Sequence, residues 1–332
     1  MCLWFYLFLC NLYHNYKLNG MRNEISEIPF RADLCYNKNK GIILPENVPY
    51  LGMGSSYISS SLFRYLGINL FPEVAADYYN YLLKYKDPEK GVLISQSGQS
   101  SETLWCADHF KSFLAIINDD KSPLGNHERC CKKIFLHAGN EELIPSKTYI
   151  NTLLVLYLGF GFDPGKAIKV FKKEMSFFEQ RGAELGEMLY KRIRWRRKKG
   201  IYIVGSGPNI ATANHAALIL SEVTKIPFMS MSVSQYDHGH KETAENSLVI
   251  GINHECPDFQ RTKNILQTVK NEGGKTFELE RPLVESIFSP LTFSIPFFFA
   301  AYYLSEKLRK KELFKVGKKV TQVAKDNNQK PV

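Results

Sequence analysis

Gly91-Val92-Leu93-Ile94-Ser95-Gln96-Ser97-Gly98-Gln99-Ser100-Ser101-Glu102-Thr103 is the stretch on which the fold turns. Val92, Leu93 and Ile94 form a short apolar run that reads as a buried parallel strand. The polar, glycine-containing turn after it enters a segment opening with Ser-x-Glu-Thr, so the order is strand, loop, helix N-terminus. A first helical turn has unpaired N–H groups and the positive end of the helix dipole, and the hydroxyls of Ser95, Ser97, Ser100 and Ser101 add donors there. In outline this is an anion site, and a phosphate ester would fit it. Taken alone, such a turn is better read as serines that merely cap a helix.

It is not alone. Val48-Pro49-Tyr50-Leu51-Gly52-Met53-Gly54-Ser55-Ser56-Tyr57 is a second strand that ends in Gly-x-Gly-Ser-Ser and enters a helix. Two such strands in one parallel sheet bring their polar loops together at the carboxyl edge, where open α/β sheets bind ligands. Ile201-Tyr202-Ile203-Val204-Gly205-Ser206-Gly207-Pro208-Asn209 is a third turn of the kind. Its Gly-x-Gly-x-x spelling invites a dinucleotide, but Ile210 stands where the third small residue belongs and no acidic residue follows the next strand. NAD is therefore disfavoured, and no cofactor is implied.

With these residues in hand, the chain resembles the sugar isomerase (SIS) family of phosphosugar-binding proteins. Its nearest likeness there is to the two-domain isomerase half of glutamine–fructose-6-phosphate aminotransferase and to stand-alone glucosamine-6-phosphate deaminase-like relatives. Gly-Met-Gly-Ser-Ser-Tyr at 52 to 57 is similar to that family's Gly-x-Gly-Thr-Ser-Tyr, and Ser-Gln-Ser-Gly-Gln-Ser at 95 to 100 to its Ser-Gln-Ser-Gly-Glu-Thr. The similarity runs from about Met21 to about Lys325. It implies an α/β fold of two tandem SIS domains, each a doubly wound parallel sheet flanked by helices. It also implies a phosphorylated sugar or amino sugar as the ligand, gripped by Ser55, Ser56, Ser95, Gln96, Ser97 and Ser100.

The length of 332 residues suits two domains. Their expected limits are 21–165 and 200–332, with a helical link over 166–199. Composition is globular, 44% apolar and 23% charged. Strands are expected near 48–52, 68–71, 91–95, 112–117 and 133–137, then near 201–205, 227–233, 247–253 and 275–279. Helices between them complete the alternation of a parallel sheet. Phe288 to Leu304 is apolar but interrupted by Pro290 and Pro296, which reads as a buried core helix rather than a membrane span.

The net charge of +10 is concentrated in part in Lys191, Arg192, Arg194, Arg196, Arg197, Lys198 and Lys199. Cations suit a helix C-terminus, and no nucleic-acid-binding motif accompanies them, so a solvated helix end is preferred to a nucleic-acid footprint. Seven cysteines, without Cys-x-x-Cys spacing, indicate neither a disulfide framework nor a zinc site, and point to a reducing, cytoplasmic setting. Residues 1–20 carry an apolar octet from Leu3 to Cys10, too short to cross a bilayer and without a cleavage site. Met21 reads as the native start, and 1–20 as a leader or misassigned start.

Isomerisation of an aldose to a ketose needs a base acting between C1 and C2, an acid that opens the ring and a fixed phosphate. Glu222 ends an apolar helical run, Ala216 to Ser221, where burial would raise its pKa. That segment is similar to the family's Ala-Leu-Lys-Leu-Lys-Glu, which implies that Glu222 is the base. Without the resemblance, an exposed glutamate at a helix end is the simpler account.

His238, in Ser234-Gln235-Tyr236-Asp237-His238-Gly239-His240, is expected in a loop, as a titrating group or a metal ligand. Two histidines one residue apart are too few to claim a metal. The stretch resembles the family's Glu-Leu-Lys-His-Gly-Pro, which implies a ring-opening histidine that serves the partner subunit, and hence a homodimer with a shared site. Lys318, in Gly317-Lys318-Lys319-Val320-Thr321, matches the family's tail lysine, and a solvated lysine is its rival account. Ala138 to Glu142, with Pro145-Ser146-Lys147-Thr148, resembles the loop at the site's other edge and adds Ser146. Ile219 stands where the aminotransferase has a working lysine, and no stretch of these residues is read as its glutamine-hydrolysing domain.

These features together point to a phosphosugar isomerase or deaminase, acting on glucosamine 6-phosphate or fructose 6-phosphate. Alternatives are an isomerising aminotransferase subunit, a phosphoglucose isomerase, a sugar-amine deglycase, or a noncatalytic phosphosugar sensor.

Overall fold

The computed structural model describes residues 20–85, 89–194 and 200–309. These form two compact units, one of Phe30–Asn140 with Thr148–Gly165, the other of 20–29, Glu141–Lys147 and 166–309.

The first unit is built on a five-stranded, all-parallel sheet in the order β2-β1-β3-β4-β5. Its strands are β1 (Pro49–Gly52), β2 (Phe71–Val74), β3 (Lys90–Ile94), β4 (Ser112–Ile117) and β5 (Cys130–Phe135). Val92, Leu93 and Ile94 are at most 1% exposed, as expected for a strand covered on both faces. β2 begins three residues later than its apolar run suggests. Gly67 closes the preceding helical turn in the left-handed region, and Ile68 to Leu70 are taken up by a further turn before pairing begins. Pro72 is tolerated because β2 is an edge strand, where a missing N–H leaves no ladder bond unmade.

Helix α1 (Ile28–Asn39) is joined to this sheet by side-chain amides. Asn39 donates to the carbonyl of Phe135 at 2.9 Å, and Asn151 to that of Leu136 at 2.7 Å. Pro29 falls in the first turn of α1, where its missing N–H does no harm, and a helical run over 20–26 precedes it. Helices α2 (Ser55–Ser61) and α3 (Ser101–Ala107) follow β1 and β3. One face of the sheet packs Leu51, Leu93, Ala115 and Ile117 against Tyr78, Cys106 and Phe110. Asn151 lies in helix α4 (Lys147–Gly159).

The second unit carries a four-stranded parallel sheet, β7-β6-β8-β9, from β6 (Ile201–Gly205), β7 (Met229–Ser232), β8 (Leu248–Ile252) and β9 (Lys275–Leu279). Helix α5 (Gly165–Arg194) is two helical segments that meet at a kink at Glu174, whose backbone is non-helical. After β6 comes α6 (Asn209–Thr224), after β7 the short α7 (Val233–His238), and after β8 comes α8 (Phe259–Asn271). The last described helix, α9 (Ser289–Leu308), packs on α6. Ser286–Leu308 is long and apolar enough to cross a bilayer, and 89% of its most apolar window is buried. It is a core helix. Pro290 falls in its first turn, and Pro296 is accommodated within it.

Candidate active site

The two serine turns lie side by side because β1 and β3 are paired neighbours, with Gly52 opposite Ile94. From β1 the chain winds outward to β2 and then returns across β1 to β3, so the winding reverses between β1 and β3. Ligand crevices of open α/β sheets lie at that reversal, beyond the carboxyl ends of the strands. A Cβ on Gly52 would come within 2.7 Å of the Ser56 Cβ and 3.0 Å of the Ile94 carbonyl oxygen, so only glycine permits this close approach.

Within the second turn, the Gly98 N–H donates to the Ser95 carbonyl at 2.9 Å, and Gly98 takes a φ of +59°. That conformation turns the chain into α3. Ser95 is 4% exposed and gives its hydroxyl hydrogen to Ser100 Oγ at 3.2 Å. Ser100 occupies the N-cap of α3 and makes no capping bond with its side chain. Ser55, Ser56, Gln96 and Ser97 are all partly exposed around the same sheet edge, while Gln99 donates its N–H to Ser97 Oγ at 3.3 Å.

Asn118, not singled out from the sequence, supports this edge. Its N–H donates to the Gln96 carbonyl at 2.9 Å, its Oδ1 accepts from Ala138 N at 2.9 Å, and its Nδ2 donates to the Gly139 carbonyl at 2.8 Å. It follows directly on the apolar run of β4, and an amide in that position is the signal that was available.

Ser146 belongs to the other compact unit, as do Glu222 and His238. Ser146 is fully buried, and its hydroxyl donates to Glu141 Oε1 at 2.9 Å. The same carboxylate oxygen accepts the N–H groups of Ser146 and Lys147, at 3.0 and 2.6 Å. Its hydroxyl is thus engaged in ordering the start of α4.

Glu222 lies in the last turn of α6, half-buried, and desolvation raises its pKa above the ordinary carboxylate value against a smaller opposing effect of Lys225. Ile219, one turn before it, is fully buried.

His238 is the final residue of α7 rather than a loop residue. Ser232 caps that helix by accepting the Gln235 N–H, while the Gln235 side chain accepts the Ser232 N–H, a capping box that extends the helix to His238. The histidine is exposed and lines an open cavity of about 660 Å³ with Ser230, Met231, Ser234, Gln235, Gly239 and His240. Asp237 faces elsewhere, paired with Lys241 and Arg261 at 3.1 and 3.4 Å. Among the described residues no group of three or more His, Cys, Asp or Glu is placed to hold a metal. Lys318 lies outside the described residues.

The third turn is built differently. The N–H groups of Asn209, Ile210 and Ala211 are taken by the carbonyls of Ser206, Gly207 and Pro208, at 3.1 to 3.2 Å. Asn209 is fully buried, donating to Ser289 Oγ at 2.7 Å, accepting from Thr212 at 3.0 Å and meeting His254 Nδ1 at 3.3 Å. Its donors are used internally, which disfavours this turn as a phosphate or dinucleotide cradle.

No protein-family model matches the chain. The chain is 27% identical over 284 residues to the isomerizing glutamine–fructose-6-phosphate aminotransferase of Sulfolobus acidocaldarius, a match covering 77% of the chain and 46% of that relative. The chain spans about half the length of the curated relatives it matches. Among solved structures, it superposes on the glucosamine-6-phosphate deaminase of Thermotoga maritima with a TM-score of 0.69 at 16% identity, covering 89% of the chain and 95% of that structure. The C-terminal domain of glucosamine-fructose-6-phosphate aminotransferase from Francisella tularensis matches with a TM-score of 0.67 at 18% identity, covering 86% and 95%. The fold is the one these two structures share with the chain. Parallel sheets flanked by helices, expected from the alternation of strands and helices, are what these structures share with the chain.

Proposed function

We propose that this protein is a phosphosugar isomerase or deaminase that converts glucosamine 6-phosphate to fructose 6-phosphate and ammonia. The observation that carries the reading is the meeting of two serine turns at the winding reversal of the first sheet, with a Ser95–Ser100 hydroxyl pair not used for capping. On this reading Ser55, Ser56, Ser95, Gln96, Ser97 and Ser100 hold the phosphate, and the two sheets are the cores of two tandem SIS domains. Ser146 bounds the sugar through the loop that Glu141 orders.

In the proposed reaction His238 passes the O1 hydrogen to the ring oxygen and so opens the sugar. Glu222 then takes the proton from C2 and returns it to C1 while the amine gives one hydrogen to O1, converting the amino aldose to a ketose imine at C2. Water adds to that imine, and the C2–N bond breaks to give fructose 6-phosphate and ammonia. A half-buried glutamate with a raised pKa suits a base that must also return its proton. The exposure of His238 beside an open cavity supports a homodimer in which each histidine serves the partner's sugar, and Lys318 is proposed to complete the site. Ile219, in place of the aminotransferase lysine, favours release of ammonia over its transfer.

The test is ammonia and fructose 6-phosphate formation by the purified full-length chain from glucosamine 6-phosphate, with glucose 6-phosphate interconversion followed in parallel. Both products from the amino sugar are expected. Turnover of glucose 6-phosphate alone would make the protein a simple isomerase. Tight phosphosugar binding without turnover would make it a sensor or a subunit that needs a partner.

A further inference from the structure

Three carboxylates and one ammonium group meet where the N-terminal helical residues touch the loop Glu141–Lys147. Glu24 Oε1 accepts the Glu142 N–H at 2.9 Å. Three residues on, Glu27 Oε2 pairs with the Lys147 ammonium at 2.9 Å, and Lys147 is 1% exposed. Glu141, from the loop itself, holds Ser146 and the Lys147 N–H. The 20–27 segment is therefore fastened to this loop through two glutamates of its own, and the loop's serine is set by a third.

In this cluster Glu24 ionises less readily than an ordinary carboxylate. Its Oε2 is buried and has no hydrogen-bond partner, so the ionised form is poorly solvated there. The groups acting on it are Glu141, which disfavours its charge, and Lys147 with the backbone N–H groups of Glu142 and Leu143, which favour it. Desolvation outweighs the rest and pushes the Glu24 pKa up to about 7.

We propose that Glu24 is a positioning residue, whose carboxyl, held on the loop backbone, makes the order of Glu141–Lys147, and with it the placing of Ser146, depend on pH. The link to turnover rests on the proposed function, in which that loop bounds the sugar. When the loop opens, Glu24 reaches water and its pKa returns toward 4.5. A group with a raised pKa in the closed state adds stability that is present at acid pH and is lost as pH rises through the closed-state value. The loop is thus tightest below about pH 5 and loosens up to about pH 7.

The experiment is hydrogen–deuterium exchange of the peptides covering 138–150 in the full chain, corrected for the intrinsic effect of pH, for wild type, Glu24→Gln and Glu24→Asp. Wild-type protection is expected to fall by up to about tenfold per pH unit between about pH 5 and 7. Glu24→Gln, which keeps the acceptor and cannot ionise, should hold its protection flat, and Glu24→Asp should restore a slope. Parallel slopes in wild type and Glu24→Gln overturn the proposal. Exchange needs no substrate, so this result stands apart from whether glucosamine 6-phosphate is turned over. Where turnover is seen, the KM for the sugar should rise with pH in wild type and stay level in Glu24→Gln.

Discussion

Ser95 gives its hydroxyl hydrogen to Ser100 across a five-residue turn, oxygen to oxygen at 3.2 Å, and Ser100 gives no capping bond to the helix it opens. A chain that needed only to start a helix would spend the second serine on the N–H groups of α3. The pair instead places two hydroxyls against each other where the strands reverse their winding. Replacing Ser95 by alanine removes the donor that orients Ser100. Ser95→Ala should raise the KM for a phosphosugar about tenfold or more, the loss of a hydrogen bond to a charged group, with little change in melting temperature. Ser60 donates only to the Tyr57 carbonyl within its own helix. Ser60→Ala should leave KM unchanged, and steady-state kinetics on both variants checks the contrast.

Gly98 is held at a φ of +59°, and a Cβ there would lie 2.2 Å from Ser122 Oγ. Both the left-handed backbone and the overlap oppose any side chain. Gly98→Ala should cost about 1–3 kcal/mol of stability and weaken phosphosugar binding in the same variant, because the turn that must distort is the one that presents Ser95, Ser97 and Ser100. Chemical denaturation and a binding isotherm measure the two effects separately. Loss of stability without loss of binding would detach this turn from the ligand.

The third glycine turn should respond in the opposite way. Asn209 satisfies Ser289, Thr212 and His254 in a fully buried network. Asn209→Ala would take the Asn209 partner from the Thr212 hydroxyl and from His254, while Ser289 keeps its bond to the Ser286 carbonyl, and each group so orphaned costs about 1–3 kcal/mol. The KM for the phosphosugar should stay within about twofold of wild type, since the turn's donors are already used. Urea unfolding read beside kinetics tests this division between one turn that binds and one that braces.

What could be read from the sequence follows from how local each signal is. The strand at Val92–Ile94, the serine turn behind it and the alternation that makes the sheets parallel are written in adjacent residues. The start of β2 was misplaced because Gly67 and the turn at Ile68–Leu70 consume residues whose apolar character suggests a strand. His238 was assigned to a loop although Ser232-x-x-Gln235 spells a capping box three residues before it. Asn118, an amide directly after the apolar run of β4, and Glu141, in the loop 138–142, act through partners about 20 and 5 residues away, and those pairings are not written in adjacent residues. The pairing of Lys147 with Glu27 spans 120 residues and is visible only after folding.

Glu222 allows the sharpest separation of chemistry from stability. Burial raises its pKa, so the folded state holds a proton that the unfolded chain would release above about 4.5. Its contribution to stability is therefore present at acid pH and is lost as pH rises through the raised value. As a base, the same group works only when ionised, so kcat/KM should climb with pH through an inflection above 4.5. Glu222→Gln keeps the shape and removes the charge. Turnover should fall by about a hundredfold or more, the usual size of a lost general base, while the melting temperature at pH 7 equals or exceeds that of wild type. A variant equally inactive but markedly less stable would show instead that the carboxylate holds the fold of α6, and the acid–base role would pass from Glu222 to another residue.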